Sequence, residues 1–532
     1  MEEKQPGYVM PESVSRTIGK DAQRNNILAA KVIADIVKTT LGPKGMDKML
    51  VDSSGNIIIT NDGVTILEEM EIDHPAAKMI VEIAKTQELE VGDGTTTVAL
   101  LVGKLLENAE KLLDRKIHPT VIVKGYRMAA EKSKEILEEI ALPLTEKNTL
   151  KQIAMTAMTG KGAEGSREKL SELIVAAVDA VSSGQTTSEE NIKIQKISGD
   201  SVDESELISG VVIDKERANA EMPSSVKNAK ILLVDFPIEL KNPETETRIS
   251  ISTPEQLESF VNSEERYLKN LTEKIISTRA TAVFCQKGID DVAQYYFAKA
   301  GIFACRRVSK SDMEKISRAT SAKIVSNIND ISEKDFGFAE NIDEIRKGDE
   351  SLTYIIGCKN PKVITIIVRG SSGHVIDEVE RAIKDGLGDV ISAVKSHKVL
   401  PGGGAVEIEL SKRLKAYAKT LGGREQLAIE EFANSLESIP ETLAENAGLD
   451  PIDTITELKR RHEAGAMREG LNLIKDRIED TFIAGIIEPI KVKLQAIQSA
   501  SEVAQMILRI DDVLVSKNLS SKALPNNYDG MD

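Results

Sequence analysis

The sequence predicts a multidomain chain of mixed α and α/β class, helical at both ends with an α/β middle. Three observations carry this. A chain of 532 residues is too long for one hydrophobic core, and its length suggests roughly three or four domains. The two ends carry apolar residues at three- and four-residue spacing, the period of an amphipathic helix. Between them, β-rich apolar runs at Ile231–Val234, Thr281–Cys285, Lys323–Val325 and Val363–Val368 alternate with helical stretches at 289–300 and 311–318, the pattern of an α/β domain.

In chain order, Ile27, Leu28, Val32, Ile33, Ile36 and Val37 place a helix over Asp21 to Thr40, and Leu41-Gly42-Pro43 stops it. Met49 to Thr60 reads as a hairpin, two short apolar runs around Ser53-Ser54-Gly55-Asn56. Helical segments fill 75–90, 95–114 and 119–140. Residues 240–272 stand out within the α/β middle. Pro243, Pro254 and many charges surround a scattered set of Ile249, Ile251, Leu257, Phe260, Val261, Tyr267 and Leu268, which reads as an exposed loop leading into an amphipathic helix. Long helices return from about 404. No short-period repeat is visible. An economical arrangement builds one helical base from both ends and inserts the middle into it.

Composition narrows the function. Lys and Arg number 69 against 85 Asp and Glu, a net charge of −16, so the surface repels phosphate backbones and broad nucleic-acid binding is not expected. Cys285, Cys305 and Cys358 form no CxxC pair or disulfide framework, which fits a reducing compartment. With five scattered histidines, no zinc site is expected. MEEKQPGYVMPES has no basic region followed by an apolar one, and no uncharged run approaches the ~18 residues of a membrane span. A cytoplasmic protein with no membrane partner is expected.

Four glycine-rich segments carry candidate chemistry. Gly92-Asp93-Gly94-Thr95-Thr96-Thr97 runs straight into the helical stretch VALLVGKLL. A glycine turn opening a helix exposes backbone N–H groups at the positive end of its dipole, which suits phosphate. Asp93 would repel such an anion unless a cation lay between, which points to Mg²⁺. The same residues also read as an ordinary Asp N-cap with Thr in the first turn. Thr40 to Gly45 could close over phosphates or simply cap a helix. Thr159-Gly160-Lys161-Gly162 offers a lysine to a γ-phosphate. Gly160 to Ser166 lacks the lysine before serine that a P-loop requires. Pro401-Gly402-Gly403-Gly404 permits close ligand approach or forms a plain loop. Asp62 and Asp385, taken singly, read equally as turn or surface residues.

Longer blocks join these segments: TLGPKGMDKMLVD at 40–52, TNDGVTIL at 60–67, HPAAKM at 74–79, VGDGTTT at 91–97 and HPT at 118–120. SGVVIDKE at 209–216, VFCQKGIDD at 283–291, RRVSKSDMEKISRAT at 306–320, VLPGGGAVEIEL at 399–410, LAENAGLDPIDT at 443–454 and ILRIDDV at 507–513 follow in order. Together they resemble the group II chaperonins, archaeal thermosome subunits in particular, from about residue 7 to 515.

The resemblance implies a chaperonin fold. Residues 1–148 and 404–532 would form a helical equatorial domain, and 149–217 with 368–403 a small α/β intermediate domain. Residues 218–367 would form an α/β apical domain whose helical protrusion, about 240–272, serves as a built-in lid. It implies an ATP-dependent chaperone that encloses non-native proteins in a double-ring cavity, with hydrolysis driving lid closure and reopening. Its partners would be other chaperonin subunits, same or paralogous, and unfolded clients, without a separate lid co-chaperonin.

Carried over position by position, Leu41, Gly42 and Pro43 would line the nucleotide and Asp93 would bind Mg²⁺. Gly94, Thr95, Thr96 and Thr97 would hold phosphates, and Gly160 and Lys161 would approach the γ-phosphate. Gly402 and Gly403 would contact the adenosine, with Asn472 near the adenine and Glu488 and Lys493 near the ribose and base. Asp62 and Asp385 would position or activate the attacking water. Asp385 would reach the site only when its domain swings down.

The chain departs from the family pattern at Ser321 and Asn472, where relatives carry Gly and Asp, and at Gly386, where Ala is usual. Residues 464–476 are divergent, and the tail SKALPNNYDGMD lacks Gly-Met repeats. Two other readings compete: a metabolic ATP-dependent enzyme such as a kinase, and a structural ring or scaffold with weak ATPase. No acceptor-activating constellation supports the kinase, and all three aspartates that a vestigial ATPase would lose are present.

Overall fold

Helix Thr95–Asp114 is apolar on nearly every side, with Val98, Leu101, Val102, Leu105, Leu106, Ala109 and Leu112 all buried, as befits a helix at the centre of a core. Helices Gly19–Lys38, Pro75–Val91, Glu425–Leu436 and Ile490–Leu508 pack against it. The computed structural model describes residues 14–51, 55–162, 164–182, 189–240, 253–347, 350–358 and 363–516. Residues 241–252 of the expected lid, the side chains of 255–262 and the C-terminal tail lie outside the described set. Contacts divide the chain into two compact units, Met1–Thr145 with Ser396–Asp532, and Glu146–Lys395.

The first unit is helical. The HPAAKM and HPT blocks are helix starts. Nδ1 of His74 accepts from the Ala76 N–H and Nδ1 of His118 from the Thr120 N–H. Each histidine is followed by a proline at the first helical position, where a missing N–H costs nothing. The two ends of the chain meet in a small sheet, Val14–Ile18 antiparallel to Asp512–Ser516. Lys48–Val51 and Ile57–Thr60 form the expected hairpin, with Met49, Val51, Ile57 and Ile59 exposed. Leu142–Pro143, Lys398–Pro401 and Ile487–Pro489 make a three-stranded sheet. A hairpin absent from the sequence reading, Glu469–Asn472 with Arg477–Asp480, interrupts the C-terminal helices.

The second unit is α/β. Its larger sheet runs in the order Phe303–Cys305, Ala282–Cys285, Ser225–Val234, Gly337–Lys347, Glu350–Ile356, Gly210–Ile213, with Ile324–Val325 also paired to Ser225–Val234. The smaller sheet sets Ile364–Gly370 between Ile192–Ser198 and Glu206–Ile208. All three cysteines are buried and free. Burial pushes the Cys285 and Cys305 thiols up to about 12 and that of Cys358 to about 11, so they behave as small hydrophobic groups. Tyr267 is half-exposed, whereas Leu268 is buried.

Two departures have structural consequences. Ser321 ends helix Lys310–Thr320 at a φ of 64°, a left-handed cap that glycine adopts without steric cost. Ser321→Gly is expected to stabilise the protein by about 0.5–1 kcal/mol, relief of strain outweighing the added freedom of the unfolded chain. Chemical denaturation of both forms measures it. Gly386 packs directly on Ile174: a Cβ there would lie 2.8 Å from its Cδ1. The glycine thus lets helix Gly373–Ser396 approach helix Arg167–Val181 at the level of Asp385.

Candidate active site

In the first unit, Asp62 is the N-cap of the short helix Gly63–Glu69. Its Oδ2 accepts from the Thr65 N–H at 3.0 Å and the Thr65 hydroxyl at 2.7 Å. The Thr95 hydroxyl donates to the other oxygen, Oδ1, at 3.2 Å. Thr95 begins the central helix, so Asp62 stands beside the turn that carries Asp93. Gly63 closes the gap: a Cβ on it would sit 2.5 Å from Oγ1 and 3.0 Å from the backbone N of Thr96. Gly92 and Gly94 both take left-handed φ values, 88° and 84°. Gln87, fully buried, donates to the Asp93 carbonyl at 2.8 Å and to the Val492 carbonyl at 3.4 Å.

The remaining first-unit candidates adjoin this turn in steps. A Cβ on Gly94 would lie 3.1 Å from Val492, which precedes Lys493. The Lys493 ammonium lies 2.7 Å from Glu488 Oε2 and 2.8 Å from Glu407 Oε1. A Cβ on Gly402 would meet Glu488 Oε1 at 2.8 Å, and one on Gly403 the Leu471 carbonyl at 2.4 Å. Asn472 follows Leu471, but its side chain serves its own hairpin. It donates to Glu479 at 2.6 Å and accepts from the N–H groups of Ile474 and Lys475. Leu41, Gly42 and Pro43 lie in the turn after the first helix. Asn446 donates to the Lys38 and Leu41 carbonyls, and Gly42 packs against Leu443.

Burial raises the Glu488 carboxyl above its ordinary range, with Lys493 pulling it down and the charges of Glu407 and Asp93 pushing it further up. Burial works against the charge on Lys493, but the two glutamates overcome it and hold its pKa well above the usual lysine value. Gly160, Lys161 and Asp385 belong to the second unit. There Gly160 takes a φ of 82° after helix Lys147–Ala157. The Lys161 ammonium pairs with Asp385 Oδ2, and both side chains are largely buried.

Gln87 and Glu407 are the buried residues behind the candidate site that sequence reasoning missed. Each is a single polar residue in a helical segment, indistinguishable in sequence from a solvated one. A second buried pair lies nearby. His462 Nδ1 faces Glu409 Oε2 at 3.0 Å and its Nε2 faces the Glu469 carbonyl at 2.8 Å, which ties the hairpin to helix Ala405–Lys419. Burial drives the Glu409 carboxyl upward, but hydrogen bonds from His462 and Arg413 and the nearby Lys412 bring it from 4.5 to about 2. A depressed folded-state pKa gives stability that is full above about 4.5 and is lost as pH falls through about 2. Glu409→Gln is expected to cost about 3 kcal/mol at pH 7 and much less at pH 2. Denaturation at the two pH values checks it.

Glycine turns, helix N-termini and two carboxylates form a donor set that fits a polyphosphate with a divalent cation. Among the described residues, no three His, Cys, Asp or Glu side chains converge into a metal cage. Mg²⁺ is commonly held by one or two carboxylates and the substrate phosphates, so Asp93 suits that ion.

Comparison with known proteins decides the family. The profile of the TCP-1/cpn60 chaperonin family matches residues 33–518. The chain belongs to this family. The thermosome subunit beta of Methanothermobacter thermautotrophicus is 54% identical over 517 residues, covering 97% of this chain and 96% of the relative. Archaeoglobus fulgidus has thermosome subunits named beta and alpha, 53% and 52% identical to this chain over 99% of its length, and covered over 98% and 97% of theirs. A solved structure, an open-state monomer of a group II chaperonin from Methanococcoides burtonii, superposes with a TM-score of 0.61 at 45% identity, covering 79% of this chain and all of that one. The expected chaperonin fold, helical with α/β sheets, is thereby borne out. This chaperonin is an ATP-dependent chaperone of the double-ring type, and the scaffold reading is not favoured. No helix among the described residues is long and apolar enough to cross a membrane.

Proposed function

We propose that this chaperonin subunit binds Mg-ATP in its first unit, hydrolyses it, and uses the cycle to close and reopen a cavity around non-native proteins. One observation supports this most: the Thr95 hydroxyl joins Asp62 to the N-terminus of the helix whose opening turn carries Asp93. Two carboxylates and a row of helix N–H groups thus share one small region, the requirements for holding a metal-bound triphosphate and orienting water.

The roles follow from the groups. Gly94 to Thr97 offer N–H and hydroxyl donors to the phosphates. Leu41, Gly42 and Pro43 flank the nucleotide, while Gly402, Gly403 and Asn472 border the adenosine and Glu488 accepts from the ribose hydroxyls. Asp93 would hold Mg²⁺, which when bound neutralises charge on the phosphate oxygens. Asp62, fixed through both oxygens, orients the attacking water, and Asp385 completes its activation. Lys161 answers the γ-phosphate charge. Domain boundaries follow the family scheme, with equatorial segments 1–148 and 404–532, intermediate segments 149–217 and 368–403, and apical residues 218–367 carrying the lid.

Ring partners are the same or paralogous subunits, clients are unfolded chains, no co-chaperonin lid is needed, and the machine works in the cytoplasm. The test is refolding of a denatured protein with and without ATP, with phosphate release measured and particles imaged in parallel. ATP-dependent recovery by double-ring particles is expected. A monodisperse monomer that releases no phosphate with Mg-ATP would sink the reading.

A further inference from the structure

The buried acid beside Lys493 has no role in the site as described. Glu407 lies in the first turn of helix Ala405–Lys419, immediately after the triple glycine, and is 2% exposed. Its Oε1 is 2.8 Å from the Lys493 ammonium, and no other group among the described residues hydrogen-bonds either carboxylate oxygen. Burying a carboxylate is costly unless its charge is answered, and the charge that answers it here is Lys493. That lysine is 7% exposed and holds Glu488 Oε2 at 2.7 Å. Glu488 sits on strand Ile487–Pro489, opposite Leu400 in the sheet that leads into the glycine loop. Its second oxygen, Oε1, faces Gly402. One ammonium is thus shared by two carboxylates on separate elements, and only Glu488 borders the glycine loop.

We infer that Glu407 is a positioning residue: it anchors Lys493, which fixes the Glu488 carboxylate so that Oε1 can accept hydrogen bonds from the vicinal hydroxyls of a ribose. This rests on the nucleotide reading above and assigns Lys493 to the support of Glu488 rather than to contact with the base. Without the charge of Glu407, Lys493 is drawn wholly onto Glu488. The carboxylate then turns toward the ammonium and loses its alignment for the sugar. Recognition of the hydroxyls should fall while phosphate binding, supplied by Gly94 to Thr97, stays.

The experiment is equilibrium binding of ATP and of 2′,3′-dideoxy-ATP to assembled wild-type, Glu407→Gln, Glu488→Gln and the double variant. A charge-assisted hydrogen bond to the ribose gives the wild type a ~10–100-fold preference for ATP. Glu407→Gln is expected to cut that preference at least about fivefold and leave dideoxy-ATP affinity nearly unchanged. In the Glu488→Gln background it should do nothing further, because the two act through one ammonium. An unchanged preference in Glu407→Gln, or equal losses for both nucleotides, overturns the inference while leaving nucleotide binding intact. A wild type that binds neither nucleotide instead overturns the reading on which it rests. Should Glu407→Gln fail to assemble, Glu407→Asp keeps the charge but withdraws it by one methylene. An intermediate preference is then expected, and a wild-type preference refutes the inference.

Discussion

Asp93→Ala is expected to abolish ATP turnover, by at least ~10³-fold, because several kcal/mol of charge stabilisation leave with the cation. The turn that carries Asp93 is built to survive the change. Gly92 and Gly94 supply its left-handed conformations, and Gln87 holds the Asp93 carbonyl, a backbone atom that alanine retains. The helix N-terminus behind it is likewise backbone, so phosphate contacts persist in weakened form. Binding should therefore lose its dependence on Mg²⁺ more than it loses affinity for the nucleotide. Phosphate release and nucleotide binding, each titrated with Mg²⁺, measure both effects. Hydrolysis at the wild-type rate would show that the cation is held elsewhere.

Much of the helical architecture was legible because its signals are local. The stretch after Thr95 is apolar on nearly every side, and the helical segments at 75–90 and 119–140 carry their pattern within single runs of sequence. Helices over 95–114 and 119–140 end where the sequence places their ends. Strand Gly337–Lys347 was not legible, and the reason is visible in its pairing. Its buried positions run Gly337, Ala339, then Ile342, a change of parity that defeats the two-residue period. It occurs opposite the neighbourhood of Asn228, whose φ of 51° distorts the partner strand. The hairpin at 469–480 escaped for another cause. It is held by Asn472 in its turn and by His462, which bridges it to Glu409 on the distant helix Ala405–Lys419, and neither contact has a sequence period.

The candidate site divides in the same way. Its glycine turns announce themselves, since only a few residue types tolerate those conformations. The ionic support beneath them does not. Glu407 and Glu409 are two residues apart on one helix, yet both are buried, one against Lys493 and the other against His462. Pairing of that kind is set by which helices pack together, so it emerges only from the fold.

Asp385→Ala should separate turnover from binding. Asp385 belongs to the unit Glu146–Lys395, whereas Asp62, Asp93 and the three threonines belong to Met1–Thr145 with Ser396–Asp532. The groups assigned to phosphate and cation therefore remain when Asp385 is removed, and ATP affinity should stay near the wild-type value. A water-activating carboxylate contributes ~10²–10⁴-fold in rate, so single-turnover hydrolysis should slow by at least ~10²-fold. The Lys161 partner sharpens the expectation. In the structure its ammonium faces Asp385, so the substitution strips a negative charge from the lysine assigned to the γ-phosphate. Affinity should then hold or tighten, which a residue needed for binding would not produce. Lid closure driven by binding should persist in part, while client release, which needs the nucleotide consumed, should stall. Equilibrium ATP binding and single-turnover hydrolysis on the one variant decide it. Weakened binding with an unchanged rate at each occupied site would make Asp385 a binding residue and end the model of a catalyst delivered by its own domain.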